Sequence, residues 1–214
     1  MIWCAAALPA CAAEHVACPA RLGNPGARVA VPDEERQMRF DKLRGEQGPV
    51  RFSQVNERLY RGGQPSDSQL EDLKALGVTT IISLRKEDRD VTRAEEQAAR
   101  RLGIRFLHFP FYGVFGASRA FLERILAELR SPDNGVIYIH CKRGRDRTSV
   151  LVALHLVIDR GWTPEDAWQR AVLDYGYQPT FWYRRLGAVF DEMVRPYRDQ
   201  LREPRPTALL QPTD

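Results

Sequence analysis

Cysteine is scarce in this chain: there are four among 214 residues, and three of them fall within the first 18 positions. No two cysteines have the spacing of a zinc ribbon or of a thioredoxin-like redox pair. The sequence therefore gives no reason to expect a disulfide framework, a metal site or a bound cofactor. Cys141 is the only cysteine after residue 18, so any role for it has to be inferred from the residues around it.

Long apolar runs and a strong charge excess are also missing. No stretch approaches the roughly 20 apolar residues that span a bilayer, so we expect no membrane span. The net charge is only +4, from 32 basic and 28 acidic residues. No basic stripe alternates with aromatic residues, which argues against a nucleic-acid partner. With 43% hydrophobic residues, the chain is long enough for one domain with a substantial core.

The N-terminus differs in composition from the rest. Residues 1–13 are apolar and rich in small side chains, and polar residues begin at Glu14. The segment from Leu8 to Cys11 is similar to the cleavage box of a bacterial lipoprotein, which makes Cys11 a candidate lipid anchor. We expect an exported, periplasmic or lipid-anchored protein. Because no basic residue precedes the short apolar stretch, an unprocessed cytoplasmic tail is the alternative.

Glycine and proline divide the remaining chain. They interrupt residues 14–50 repeatedly, which predicts an irregular N-terminal extension. Strand and helix patterns alternate over residues 51–195, the predicted catalytic domain. Residues 196–214 contain several prolines and predict a tail. No pattern in the sequence specifies an oligomeric state.

The alternation within residues 51–195 predicts an α/β fold. A capping box at Ser66–Gln69 predicts a helix that ends before Gly77, and Thr92 is the expected start of the next helix. Further helices are expected around residues 121–129, 163–176 and 180–194, and strands over residues 78–84, 104–109 and 136–139. Strands that alternate with helices form a central, mostly parallel sheet flanked by helices on both faces. Ligands bind such sheets at the carboxyl ends of the strands.

One segment carries most of the chemical information. Residues 140–148 follow the apolar run 136–139 and precede the apolar run 149–158, which predicts a strand, a loop and a helix. This arrangement aims backbone N–H groups and a helix dipole at an anion. The same field favours a thiolate and makes Cys141 a candidate nucleophile. Arg147 offers a planar fork of donors that can bind two phosphate oxygens.

Other residues of the loop support that interpretation. Gly144 lets the backbone curl, with a positive φ, so that its amides face inward. The Thr148 hydroxyl is expected to donate a hydrogen bond to the sulfur, and His140 to orient the loop rather than transfer a proton. The loop is strongly basic, and Arg85 at the end of a predicted strand would add another cation. Besides Arg147, the basic residues of the loop are Lys142, Arg143 and Arg145. They indicate a polyanionic substrate or, alternatively, a solvated rim.

These residues match a family signature. His140-Cys141-x5-Arg147-Thr148 resembles the His-Cys-x5-Arg-Ser/Thr loop of the cysteine-dependent protein tyrosine and dual-specificity phosphatases. Residues 56–65 and 78–85 resemble the first strands of the small atypical dual-specificity branch found in bacteria, plants and fungi. The resemblance covers roughly residues 50–190. The resemblance implies the α/β fold of that branch. It also implies hydrolysis of phosphate monoesters through a phosphocysteine intermediate.

The resemblance also bears on the substrate. The Cys-Lys-Arg-Gly opening of the loop is similar to the branch that includes inositol pyrophosphate phosphatases. Extra basic residues in this loop contact neighbouring phosphates in relatives that act on inositol phosphates. The resemblance therefore implies an inositol (poly)phosphate substrate, with phosphotyrosine or a phosphoprotein as the alternative.

The sequence departs from the family pattern at two positions. Ser149 stands where most members have glycine, and residues 109–116 lack the aspartate that many tyrosine phosphatases use as general acid. Some branches have an aspartate within the signature loop, so Asp146 is our candidate acid. The alternative is that Asp146 caps the following helix. Asp88 and Asp174 are the other candidates.

Two other functions compete with hydrolysis. A rhodanese-like sulfurtransferase also uses a cysteine in a loop between strand and helix, but its loop is not closed by an Arg-Thr pair. A phosphate- or inositol-phosphate-binding module without turnover needs only the cradle. The presence of both Cys141 and Arg147 favours the enzyme.

Overall fold

The computed structural model describes residues 32–46, 48–86, 88–112, 118–178, 180 and 184–198. The strands are β1 (Ser53–Asn56), β2 (Leu59–Gly62), β3 (Val78–Ser83), β4 (Arg105–His108) and β5 (Val136–His140). The helices are α1 (Asp33–Arg44), α2 (Asp67–Ala75), α3 (Arg89–Arg101), α4 (Arg119–Arg130), α5 (Arg147–Arg160), α6 (Pro164–Trp168) and α7 (Arg184–Val194). The predicted leader, Cys11 and most of the predicted tail lie outside the described residues.

The five strands form one sheet in the order β1-β2-β5-β3-β4. β1 and β2 form an antiparallel hairpin, and the other neighbours pair in parallel. β5 therefore lies in the middle of the sheet, and its carboxyl end is flanked by those of β2 and β3. The predicted α/β fold with a mostly parallel sheet is confirmed.

Both faces of the sheet are covered. Adjacent residues of a strand point to opposite faces, so Ile81 and Tyr138 join one core while Ile82 and Ile139 join the other. The first core is closed by α1, α2 and α3, and the second by α4, α5, α6 and α7. This burial on both sides explains why β3 and β5 are almost continuously apolar.

Within the segment 14–50, predicted to be irregular, the structure describes a helix, α1, over Asp33–Arg44 and so corrects the prediction for that part. Acidic residues occupy its first turn and basic residues its last, as the helix dipole favours. Leu43 is buried in the core beside Phe52, and Arg39 and Lys42 form ion pairs with Asp72 of α2. The helix has few apolar residues and no clear stripe, so its sequence pattern gave little sign of it.

Local signals set most of the other boundaries. Ser66 and Gln69 form the predicted capping box at the start of α2. α3 begins three residues before the predicted Thr92, because Asp88 accepts a hydrogen bond from the Val91 amide and caps the helix. The helix predicted over residues 163–176 is α6 followed by a π-helical turn, Gln169–Leu173. α7 is described only from Arg184.

Candidate active site

The loop between β5 and α5 forms the candidate site. Residues 141–146 leave the carboxyl end of the central strand and lead directly into α5, which begins at Arg147. Gly144 has the predicted positive φ, of 63°. A Cβ atom on Gly144 would lie only 2.5 Å from the backbone carbon of Gly62, so no larger residue fits between this loop and the end of β2.

The sulfur of Cys141 lies at the base of this loop, and the residue is only 3% exposed. Burial alone would raise the pKa of the thiol. The positive charge of Arg147 acts against burial, as do hydrogen bonds to the sulfur from the Thr148 hydroxyl and from the amides of Thr148 and Arg143. Together these interactions hold the pKa of Cys141 below its ordinary value, so the thiolate is favoured.

Arg147 is held across the carboxyl ends of the strands. Its side chain is buried, and Nη1 donates hydrogen bonds to the carbonyl oxygens of Leu84, at 3.1 Å, and Phe111, at 3.4 Å. Leu84 follows β3, and Phe111 lies in the segment after β4. The guanidinium is thus fixed by backbone acceptors on one side, and its charge reaches the sulfur on the other.

A second buried arginine supports the loop from beneath. Arg61 of β2 donates hydrogen bonds to the carbonyl oxygens of Ala171 and Gly144, both at 2.8 Å, and to Oγ of Ser149, at 2.5 Å. Its guanidinium also lies 3.5 Å from the ring centroid of Tyr175. Burial lowers the pKa of Arg61 to about 10, so it remains charged at neutral pH. Ser149, the departure from the family's glycine, is one of its acceptors.

A chain of buried polar groups runs from α3 to the loop. Nε2 of His140 lies 2.8 Å from Oε1 of Glu95, and Nδ1 of His140 lies 3.2 Å from the Cys141 carbonyl oxygen. Oε2 of Glu95 accepts a hydrogen bond from Gln64, and Gln64 accepts one from Arg85. Arg85 follows the carboxyl end of β3, and its side chain is buried within this chain of contacts.

The remaining loop side chains form a rim. Lys142 and Arg143 are exposed, whereas Arg145 is partly buried and its Nε lies 3.2 Å from Oδ2 of Asp146. Asp146 occupies the N-cap position of α5 and makes no side-chain capping hydrogen bond. The alternative in which Asp146 caps the helix is therefore wrong, although its position at the helix start was expected.

The two other candidate acids are engaged elsewhere. Asp88 caps α3 through the Val91 amide. Asp174 follows the π-helical turn, and its carboxylate accepts a hydrogen bond from Gln169.

Sequence reasoning missed three polar residues that support the loop: Arg61, Glu95 and Gln64. Each is far from residues 140–148 in sequence, and each contacts them or their neighbours only in the folded chain. One signal was available for Glu95, since it falls on the buried face of α3 with Ala98 and Ala99. A charged residue on an apolar face needs a buried partner, and His140 is that partner.

Among the residues that the structure describes, no helix is long and apolar enough to cross a membrane.

Known proteins resemble this chain over the same region. The model of a family described as PTP-NADK, DSP-PTPase phosphatase fused to NAD⁺ kinase, matches residues 38–178. A beta-lactamase hydrolase-like protein of Xylella fastidiosa (strain 9a5c) is 31% identical over 114 residues, 51% of this chain and 26% of that protein. Inositol diphosphatase DSP1 of Oryza sativa subsp. japonica is 31% identical over 111 residues, 49% of this chain and 48% of that protein.

A solved structure shares the fold. The crystal structure of Pseudomonas aeruginosa TpbA in complex with pTyr superimposes with a TM-score of 0.59 and 21% identity, covering 71% of this chain and 90% of that one. The matched segment spans about half or less of the two curated relatives. These matches confirm the resemblance to the atypical dual-specificity branch, and they favour neither a sulfurtransferase nor a binding module without turnover.

Proposed function

Because this chain belongs to the DSP-PTPase family of dual-specificity-type phosphatase domains, we propose that it hydrolyses phosphate monoesters through a phosphocysteine intermediate. The observation that carries the proposal is the surroundings of the buried Cys141 sulfur, which accepts hydrogen bonds from Thr148 and from the Arg143 amide and lies near the charge of Arg147. A buried thiol without an anion-binding loop would have a raised pKa and would be a poor nucleophile. The proposal needs no metal ion or cofactor.

In the first step, the Cys141 thiolate attacks phosphorus, forming the S–P bond while the P–O bond to the leaving group breaks. The leaving oxygen takes a proton from Asp146, so the alcohol or phenol departs neutral. Arg147 and the loop amides bind the three equatorial phosphoryl oxygens. The loop amides and Arg147 are oriented before the reaction begins. They therefore need little reorganisation as negative charge develops on the phosphoryl oxygens.

In the second step, water attacks the phosphocysteine. The new P–O bond forms as the S–P bond breaks, and Cys141 leaves as a thiolate that Thr148 and Arg147 stabilise. The Asp146 carboxylate accepts the proton from the attacking water. Inorganic phosphate is released, and Cys141 and Asp146 return to their starting states.

The nucleophile is tested by Cys141→Ser, assayed with p-nitrophenyl phosphate. We expect turnover to fall by at least about 10³-fold, because a serine hydroxyl is not ionised at this site. Binding of inorganic phosphate, measured by calorimetry, should remain. Cys18→Ser is the matched control, since it makes the same change outside the loop. Wild-type turnover in Cys141→Ser would refute the mechanism.

The acid is tested by Asp146→Asn with two substrates. Hydrolysis of phenyl phosphate, with a poor leaving group, should fall at least about tenfold more than hydrolysis of p-nitrophenyl phosphate. Arg145→Gln is the matched control, because it removes the partner of Asp146 and keeps the carboxylate. Equal losses on both substrates in Asp146→Asn would show that the carboxylate only positions Arg145.

For the substrate, we propose a polyphosphorylated small molecule of the inositol phosphate type. Two observations support it: the exposed cations Lys142 and Arg143 on the rim, and the similarity to a protein named inositol diphosphatase. Phosphotyrosine is the alternative, and a structural neighbour has been solved with pTyr bound. The test is to measure phosphate release from inositol phosphates, phosphoinositides and phosphotyrosine peptides. The substrate class with the highest kcat/KM decides between the two alternatives.

We further propose that residues 1–13 direct export and that Cys11 carries a lipid. The support is the small apolar leader and its lipoprotein-like cleavage box. Mass spectrometry of the protein purified from membranes should find a lipid-modified N-terminal Cys11. An intact Met1 on protein from the soluble cytoplasmic fraction would refute this proposal.

A further inference from the structure

Three successive carbonyl groups of the catalytic loop, from Lys142 to Gly144, each accept a hydrogen bond from a donor outside the loop. The Gln64 amide donates to the Lys142 carbonyl oxygen, at 3.3 Å. The Arg61 side chain donates to that of Gly144, at 2.8 Å. The carbonyl group between these two belongs to Arg143, and its donor is a different arginine. The loop carbonyl groups are thus held from the outside.

Arg51 is the donor to this middle carbonyl group. Its Nη1 donates to the carbonyl oxygen of Arg143, at 3.4 Å, and its Nε donates to the carbonyl oxygen of Tyr175, at 2.8 Å. The guanidinium can serve both acceptors because its N–H groups form a rigid planar fork. One side chain therefore connects the catalytic loop to the segment that follows the π-helical turn.

The backbone of Arg51 has an unusual conformation. Its φ is 59°, in the left-handed region that residues with a Cβ atom seldom adopt. The Gly63 amide donates a 2.7 Å hydrogen bond to the Val50 carbonyl oxygen, which fixes the turn that carries Arg51. A Cβ atom on Gly63 would lie 3.2 Å from this oxygen and 3.3 Å from the Lys142 carbonyl oxygen. These backbone contacts hold Arg51 beside the loop despite the strain of its conformation.

The direction of a carbonyl group also sets the direction of an amide. A trans peptide group places its N–H opposite its C=O. The C=O of Lys142 shares a peptide group with the N–H of Arg143, and this N–H donates to the Cys141 sulfur. By the same geometry, a C=O of Arg143 that points to Arg51 turns the N–H of Gly144 toward the inside of the loop.

We propose that Arg51 is a positioning residue, which keeps the Gly144 amide directed at the phosphoryl oxygens by holding the Arg143 carbonyl group. This assignment rests on the proposed function, in which the loop amides bind those oxygens. Arg51 acts through the peptide group and does not contact the substrate. Amides held in this way need little reorganisation when an anion binds.

The test observes the Gly144 amide directly. NMR spectra of the ¹⁵N-labelled full chain are recorded with and without saturating inorganic phosphate, so the readout needs no turnover. In the wild type, the Gly144 amide proton should move downfield, because a hydrogen bond to an anion deshields it. Arg51→Lys keeps the charge, but one ammonium group cannot hold both carbonyl groups. It should reduce the shift to less than about half and raise the Kd for phosphate at least about threefold, as expected for the loss of one hydrogen bond.

Two further variants complete the experiment. Arg51→Gly removes the guanidinium, suits the left-handed backbone and should have the same effects as Arg51→Lys. Arg58→Lys is the matched control, because Arg58 also bridges two backbone carbonyl groups, those of Gly135 and Ser131, but at the amino end of β5. In this control, the shift of the Gly144 amide and the Kd for phosphate should stay within about twofold of the wild type.

Three results would overturn the assignment. The first is a wild-type shift and affinity in Arg51→Lys, since the charge alone would then suffice. The second is an equal loss of shift at the Arg145 amide, whose peptide group is held by Arg61, because the whole loop would then have loosened. The third is a wild-type Gly144 amide that does not respond to phosphate. If that amide responds but no ester is hydrolysed, the proposed function fails while the role of Arg51 stands.

Discussion

Nε2 of His140 lies 2.8 Å from the carboxylate of Glu95, and both side chains are buried. This contact joins α3 to the residue before the nucleophile, across the face of the sheet. It also keeps Nδ1 of His140 near the Cys141 carbonyl oxygen, at 3.2 Å. The orientation of the catalytic loop therefore depends on a helix that contributes no residue to it.

Glu95→Ala should lower both stability and turnover. It leaves Nε2 of His140 and the amide of Gln64 without their buried partner, which costs about 1–3 kcal/mol. Glu95→Gln should recover most of the turnover, because the amide oxygen can still accept from His140. Urea unfolding and kcat/KM for p-nitrophenyl phosphate are the measurements. Glu96→Ala, one residue along on the exposed side, is the control. Failure of Glu95→Gln to improve on Glu95→Ala would contradict this role.

The reactivity of Cys141 should depend on pH with a midpoint below that of an ordinary thiol, which is near pH 8.5. Alkylation by iodoacetamide reports it, since only the thiolate reacts. Thr148→Val removes a donor to the sulfur and should move the midpoint to higher pH. Thr80→Val, at a buried threonine whose hydroxyl donates to the Asn134 carbonyl oxygen, should leave it unchanged.

The same ionisation affects stability. The folded pKa of Cys141 lies below the unfolded value, so the thiolate adds stability that is fully present above the unfolded pKa. This contribution is lost as the pH falls through the folded pKa. Cys141→Ser should therefore flatten the pH dependence of the unfolding free energy between those two values. A profile identical to that of the wild type would argue against a lowered pKa.

Gly144→Ala should disrupt the loop. The new Cβ would meet the backbone of Gly62 at 2.5 Å, and the positive φ adds strain. We expect a loss of about 2–4 kcal/mol in stability and of most phosphate binding. Gly77→Ala is the control, because Gly77 also has a positive φ but nothing lies within 4 Å of the added atom. Equal effects of the two variants would mean that the close approach to Gly62 is unimportant.

Arg61→Lys should destabilise the chain although it keeps the charge. An ammonium group cannot reach the acceptors on Ala171, Gly144 and Ser149 at once, so buried acceptors lose their partners. The expected loss in urea unfolding is about 2–4 kcal/mol. Arg93→Lys, with a side chain that is 67% exposed, should change stability by less than about 0.5 kcal/mol. A loss that small at Arg61 would remove its proposed structural role.

Sequence patterns predicted most of the fold because most helices and strands are specified by residues close together in the chain. The apolar run of β5, the loop glycine and the capping box at Ser66 each act over a few residues, and the structure confirms all three. The positions of Arg61 and Glu95 depend instead on contacts with residues distant in sequence. No periodicity encodes such pairs, so a single sequence could not place them. The helix α1 was missed for the same reason. Its basic side chains pair with Asp72 on another helix, and no local pattern shows that contact.

The π-helical turn at Gln169–Leu173 has a consequence for how activity can change. Its wide turn presents the Ala171 carbonyl oxygen to Arg61, which in turn holds Gly144. An insertion or deletion that restored regular α-helical winding there would rotate this oxygen away. Mutations that tune turnover should therefore arise in this late helical segment, in variants whose signature residues are all intact.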